Sequence, residues 1–448
     1  MKNVFFITTI FLSTSLVFSN CKRPEHHDIP VKKYPADVAI AWMNLHMRLN
    51  MTTPNFNSVV GGRSFGYAAL TLYESVAPGI DDCRSIADQL SEGKELKKAL
   101  PSAENASYYW PASANAAMAS ITKALFGNTS QANIATIDSL EAAFRARFQQ
   151  DANGEELSKS ETFGRKVADA IFNWSKADGG HEPYLHVTEP GYVLPVGPSF
   201  WIPTPPAFAT APIHPYWGKK RSFVSGVVAM SQPGAPVPYS EDKISEYYKG
   251  VNELYTISLS LKSEDSTIAK FWGDLATNFN VPAHATGILT QIIILNHLKL
   301  DQAAIAYAKH SLAMSDALVS VFKTKYTYTT IRPVSYIRNI MKHPNWNTVI
   351  PTPPHPEYSA AHAVVSGASA EVLEAIFGKN YAFTDHSYDK LYGPRSFSSF
   401  DAYAKEAGFS RVLAGIHYRT SVNTGLLQGR KVGHAVNSLD FRKNGQSK

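Results

Sequence analysis

A lysine and an arginine, Lys325 and Arg332, stand seven residues apart in KYTYTTIRPVSYIRN, a stretch with little other charge. Two fixed cations so close suit an oxyanion. An ammonium supplies a point charge, and a guanidinium fork can bind two oxygens at once. Pro333 biases Arg332 away from helical backbone and is itself well placed as the first residue of a new helix. Lys325 then ends one helix, Arg332 starts the next, and both can face one cavity. Taken alone, the pair reads more simply as two cations snorkelling at a helix junction.

Two further segments change that balance. In PTPPHPEYSAAHAVVSGASAEVLEAIFG, prolines stiffen the approach, Ser359 takes the N-cap position and a helix follows. The N–H groups of Ala360, Ala361 and His362 would be donors without helical acceptors, a seat for an anion with a histidine beside it. In SRVLAGIHYRTSVNTGLLQGRKVG, Arg411 lies near a helix end, Gly415 can break that helix and His417 follows. On its own, each histidine is more often a packed structural residue. Lys, Arg–Pro, His, Arg and His in this order carry more.

These residues resemble the vanadium-dependent haloperoxidases and the acid phosphatases of their superfamily, whose signature is K-x6-RP, then P-S-G-H, then S-R-x5-H-x3-D. Here the signature reads Lys325 with Arg332–Pro333, then SAAH ending at His362, then Ser410–Arg411 with His417, spanning residues 325–421. Looser stretches, GRSFGYAALTLYESV, FWGDLATNFNVPAH and MSDALVSVFKTKY, are similar to the secreted haloperoxidase branch and in particular to bacterial iodoperoxidases. The resemblance implies a vanadate cofactor. Lys325, Arg332 and Arg411 would neutralise its oxygens together with the backbone of Ala360 and Ala361. His417 would be the vanadium ligand, or the nucleophile in a phosphatase, and His362 the acid–base group.

The chain departs from the signature twice. Ala360 and Ala361 stand for its serine and glycine, which removes one hydroxyl donor. Ser421 stands for the terminal aspartate, which would fix the tautomer of the apical histidine. Phe322 and His355 fall at positions linked to a halide pocket, and plain packing explains them as well. Asp316 is a candidate partner for a site arginine or a surface carboxylate. His181, His214 and His284 lack close ligand spacing and read as structural.

Helical periodicity must position these groups. In DQAAIAYAKHSLAMSDALVSVFKTKY, Ile305, Leu312 and Val319 recur every seven residues beside Ala308, Ser315 and Phe322, one buried stripe of a bundle helix. Comparable patterns cover 36–50, 59–77, 113–126, 131–149, 157–177, 241–259, 262–279, 283–298, 360–377, 399–413 and 422–437. Alternating strands are scarce, so the expected class is all-α, packed as helical bundles. Residues 22–448 show no internal boundary and read as a single domain. The Pro- and aromatic-rich segment 178–240 reads as an ordered excursion over the bundle.

Composition limits the remaining readings. The 448 residues are 44% hydrophobic and 18% charged, a globular balance. The 43 basic residues are dispersed and the net charge is only +6, so the chain has no nucleic-acid footprint. Residues 1–21 read as a signal peptide, with Cys21 placed for lipidation, and imply export to the periplasm, an outer-membrane lipid anchor or secretion. Cys83 is the other cysteine of the chain. The favoured activity is peroxide-dependent oxidation of iodide, or bromide, with hydrogen peroxide and halide as partners. A soluble phosphomonoesterase and a non-catalytic oxyanion-binding lipoprotein remain as alternatives, the latter because of Ala360 and Ser421.

Overall fold

The computed structural model describes residues 29–103, 107–274 and 279–443. The leader and Cys21 lie outside the described residues. Among those described, the protein is 61% helix and 4% strand, and no helix is long and apolar enough to cross a membrane.

Two groups of helices meet along one seam. The first comprises Asp37–Thr52, Ser58–Val76, Trp110–Leu125, Gln131–Phe148 and Gly154–Ser175; the second comprises Leu300–Tyr328, Ala361–Phe377, Phe400–Leu413 and Arg419–Asn437. Ser58–Val76 packs on Leu300–Tyr328 and joins them, and a single apolar cluster runs from Val31 to Phe441 through both. Several starts are fixed by side-chain caps, among them Asn57, Ser130, Asn153, Asn280 and Ser399.

Leu300–Tyr328 is more central than its heptad stripe suggests. Every residue from His310 to Phe322 is buried, because the helix also packs on Ala361–Phe377 and Arg419–Asn437. That explains its many alanines and serines, which let neighbours approach from all sides. Ala361–Phe377 and Arg419–Asn437 pack closely for a related reason. A Cβ on Gly429 would sit 2.0 Å from the Val364 carbonyl oxygen, and one on Gly367 would sit 2.5 Å from that of Leu426. Bare backbone at these points lets the two helices close on each other.

The excursion 178–240 is tied down at its start and again at Phe223–Val224. Arg63 Nε donates to Asp178 Oδ2 at 2.7 Å, and Tyr67 donates to the same oxygen at 2.8 Å. Asp316 is buried and accepts the N–H groups of Phe223 (2.6 Å) and Val224 (2.9 Å). It is therefore neither at the surface nor paired with a site arginine; it anchors the excursion. Burial lifts its carboxyl to about 7, with those two N–H groups pulling the other way.

Three details differ from the periodicity. The segment read as one helix over 262–279 is helical only through Phe271, and Asp274 follows in left-handed backbone with φ 45°. A small hairpin, Phe383–Asp385 against Arg395–Phe397, is too short to show an alternating pattern. The seat helix begins at Ala361 with Ala360 as its N-cap, one residue later than expected.

Candidate active site

Lys325 sits in the last turn of Leu300–Tyr328, wholly buried. Its Nζ donates to the carbonyl oxygens of Pro356 (2.9 Å), Glu357 (2.9 Å) and Ser359 (2.7 Å). All three ammonium hydrogens thus have acceptors. Lys325 pins the proline-rich approach and, in this arrangement, has no free hydrogen left to offer a ligand. Burial, then Arg332, hold its pKa well below the usual lysine range, with Glu357 opposing.

Arg332 starts the helix Pro333–Asn339. Its Nε donates to His355 O at 2.8 Å and its Nη1 to Ile416 O at 2.9 Å. Nη1 also lies 3.2 Å from His417 Nε2, and Nη2 lies 3.0 Å from His355 Nδ1. One guanidinium therefore ties together the two segments that carry the histidines, a connection read from neither segment alone.

His417 follows the turn at Gly415, whose φ of 78° suits glycine. Its Nδ1 lies 2.8 Å from Glu357 Oε1, which also accepts the Tyr418 N–H at 3.2 Å. A carboxylate on one nitrogen and a guanidinium donor on the other assign the tautomer. The proton sits on Nδ1 and the lone pair on Nε2. Burial, then Arg332, Lys325 and Arg411, keep the ring neutral, well below the ordinary histidine range. Glu357 thus supplies the carboxylate that Ser421 does not, and the buried Ser421 hydroxyl lies against that carboxyl and helps to lower it. Burial raises the Glu357 carboxyl to about 7, while Lys325 and Arg332 pull it down.

Arg411 donates through Nη1 to Trp272 O at 2.5 Å, and its Nε is buried without a partner. Burial lowers it to about 10, with Asp274 opposing and Arg332 adding to the fall. His362, in the first turn of Ala361–Phe377, places Nε2 3.3 Å from Asp274 Oδ2, within ion-pair range but off hydrogen-bond alignment. Its side chain is 14% exposed against 3% for His417, so His362 is the more accessible of the two. Burial, then Arg411, lower it to about 4 against the pull of Asp274.

The seat itself needs two corrections. Ser359 is not the N-cap; its hydroxyl donates to Gln428 Oε1 at 2.6 Å. The Ala360 N–H is not an orphan, since it faces Ser421 O at 3.4 Å. The donors left without helical acceptors are those of Ala361, His362 and Ala363. Phe322 and His355 do come together, with ring centroids 5.5 Å apart. Burial, Lys325 and Arg332 hold His355 well below the ordinary histidine range, so it is a neutral ring. His214 is buried with Nε2 2.9 Å from Asn57 Nδ2, a packed position, and His181 is exposed. His284 is more than a packing histidine: it lies between the carboxylates of Asp274 and Asp385.

Three buried cations, a neutral imidazole with a lone pair turned toward them, and a second imidazole beside a carboxylate form an anion site with proton-transfer capacity. A family model for the VCPO second helical-bundle domain matches residues 306–443. The first bacterial vanadium-dependent iodoperoxidase to be solved superposes with a TM-score of 0.82 at 30% identity, covering 92% of this chain and 98% of that one. Apo and holo forms of a bacterial vanadium-dependent chloroperoxidase share the fold, with TM-scores of 0.64 and 0.63 at 15% identity. They cover 85% and 89% of this chain, and 94% and 92% of their own. No curated protein sequence matches the chain. An iodoperoxidase 30% identical and spanned almost end to end means that the chain belongs to the vanadium-dependent haloperoxidase family.

Proposed function

We propose that the protein holds vanadate and oxidises iodide, and less readily bromide, with hydrogen peroxide. The observation that carries this reading is the fixed tautomer of His417, with Nδ1–H held by Glu357 and Nε2 facing Arg332. The residues fit the cofactor. The unpartnered Nε of Arg411 and the free N–H groups at the start of Ala361–Phe377 suit a tetrahedral oxyanion, and Arg332, whose Nη1 contact to His417 would have to open, adds charge beside them. Lys325 adds buried charge. His417 Nε2 would bond the metal. Bound vanadate supplies a Lewis acid that polarises peroxide at constant oxidation state. His362, neutral and partly accessible, would take and return the peroxide proton. The Phe322–His355 pair would flank the halide. Iodide is favoured because it is the easiest of these halides to oxidise, and a cradle short of one hydroxyl retains it longest.

Reconstitution of purified protein with orthovanadate should restore peroxide-dependent iodide oxidation where iron and zinc do not, and excess phosphate should inhibit it. Equal activity after vanadium is stripped and excluded would sink the reading. A phosphomonoester assayed in parallel tests the second reading. The Glu357–His417 pair favours that one too, because a nucleophilic histidine needs the same orientation.

The altered seat gives a finer expectation. Ala360 is the fully buried N-cap, so Ala360→Ser should restore a hydroxyl there and raise vanadate affinity roughly 2- to 10-fold. Ser359→Ala should leave affinity unchanged and destabilise the fold by about 1–3 kcal/mol, since Gln428 Oε1 loses its donor. Affinity lost in Ser359→Ala at unchanged melting temperature would show that the hydroxyl of Ser359 serves the anion after all.

Export, with a lipid on Cys21, accompanies this reading on the strength of the leader in residues 1–21. Incorporation of labelled palmitate that persists in Cys21→Ser would refute the anchor.

A further inference from the structure

Behind His362 lies a row of buried groups that the reaction just described does not use. His284, on the helix Val281–Leu295, is buried between two carboxylates. Its Nδ1 is 2.9 Å from Asp274 Oδ1 and its Nε2 is 2.9 Å from Asp385 Oδ2. An acceptor on each ring nitrogen means that both carry hydrogen, so the ring is an imidazolium. Its pKa is raised to about 10; burial opposes this and the two carboxylates overcome it. The carboxylates are themselves held. Tyr388 donates to Asp274 Oδ1 at 3.1 Å, and the Ser387 N–H donates to Asp385 Oδ1 at 2.9 Å. The Trp272 ring stacks on His284 at 4.8 Å.

Asp274 has no helix to hold it. It sits in left-handed backbone, φ 45°, which a non-glycine residue keeps only when its surroundings dictate it. Its Oδ1 is occupied by His284 and Tyr388, which leaves Oδ2 turned to His362 at 3.3 Å. The short hairpin also gains a purpose, since its first strand ends on Asp385.

We propose that His284 is a positioning residue: clamped between Asp274 and Asp385, it fixes which oxygen of Asp274 meets His362, and its positive charge limits how strongly that oxygen holds a proton on His362. The inference rests on the reading of His362 as the proton-transfer group. The charged groups that bear on His362 are Asp274 from the turn after Ser263–Phe271, Arg411 from Phe400–Leu413, and His284 behind Asp274. Those on His284 are Asp274 and Asp385, with the phenol of Tyr388 alongside. Without the imidazolium, the charge of Asp274 would act on His362 uncompensated, and His362 would keep its proton to higher pH. Without Asp385 the cation would remain with less negative charge around it, and His362 would release its proton earlier.

Histidine-ring NMR titration of the vanadate-free protein tests this in two variants. His284→Gln should move the His362 titration up by about one pH unit, a tenfold rise in proton affinity. Asp385→Asn should move it down by a smaller step. In vanadate-loaded enzyme the acid limb of peroxide-dependent turnover should follow in the same two directions. Shifts of opposite sign are the signature, because loosened packing alone would move both variants alike. An unshifted His362 in the folded variants, or shifts of the same sign, would overturn the proposal. If His284→Gln fails to fold, Asp385→Asn decides: a downward shift supports the clamp, and no shift or an upward one refutes it. Should turnover be absent altogether, the haloperoxidase reading falls while the NMR titration still judges the clamp.

Discussion

His417→Ala should empty the protein of vanadium, whereas His362→Ala should keep the metal and lose turnover. The two imidazoles are buried in one cationic site but are wired differently. His417 is fixed at both nitrogens, with Glu357 on Nδ1 and Arg332 on Nε2, so it can offer one lone pair in one direction. Deleting it removes the proposed bond to the metal and leaves only charge and hydrogen bonds to hold a trianion. His362 touches the site's charge through Arg411 and Asp274 and retains some exposure. Its removal should cost about 10²- to 10⁴-fold in rate, the usual span for a positioned proton-transfer group. Vanadium content measured after desalting, beside kcat, separates the two. If both variants retain vanadium at the wild-type level, the assignment of His417 is wrong.

Glu357→Gln is expected to have the next largest effect. The amide keeps the shape but can turn its NH2 toward Nδ1. That would favour the other tautomer and place a hydrogen on the nitrogen that should carry the lone pair. Loss of an outer partner of a metal ligand typically costs about 10- to 100-fold in metal affinity or activity. Ser421 is buried beside the Glu357 carboxyl. Adding Ser421→Asp to Glu357→Gln should therefore recover much of the loss. Ser421→Asp alone should give no gain, because two carboxylates would crowd one imidazole. Full activity in Glu357→Gln would show that the carboxylate does not orient His417.

Much of this was legible in the residues. Long helices announce themselves by period, and a signature spread over residues 325–421 places two arginines, a lysine and two histidines in order. Glu357 was not legible, because it sits in the proline-rich approach and meets His417 only through the fold. Its signal was indirect: Ser421 left the apical histidine without a carboxylate, and a buried acid two residues before Ser359 could have been sought. Asp274 was hidden in a segment whose apolar pattern ran past the true helix end at Phe271. His284 passed as structural because its partners are carboxylates from distant segments rather than ligands at a recognisable spacing. The cap moved from Ser359 to Ala360 because the hydroxyl of Ser359 finds Gln428, which no local rule foresees. Spacing also could not show that Lys325 spends its hydrogens on three carbonyls.

Diffraction from crystals grown with orthovanadate tests the central claim most directly. The account predicts one vanadate held by Nε2 of His417, with Arg332 drawn off its 3.2 Å contact to that nitrogen and the Arg411 Nε donating to the anion. Vanadate seated away from His417, or a site that stays closed by the Arg332–His417 contact at saturating vanadate, would contradict it.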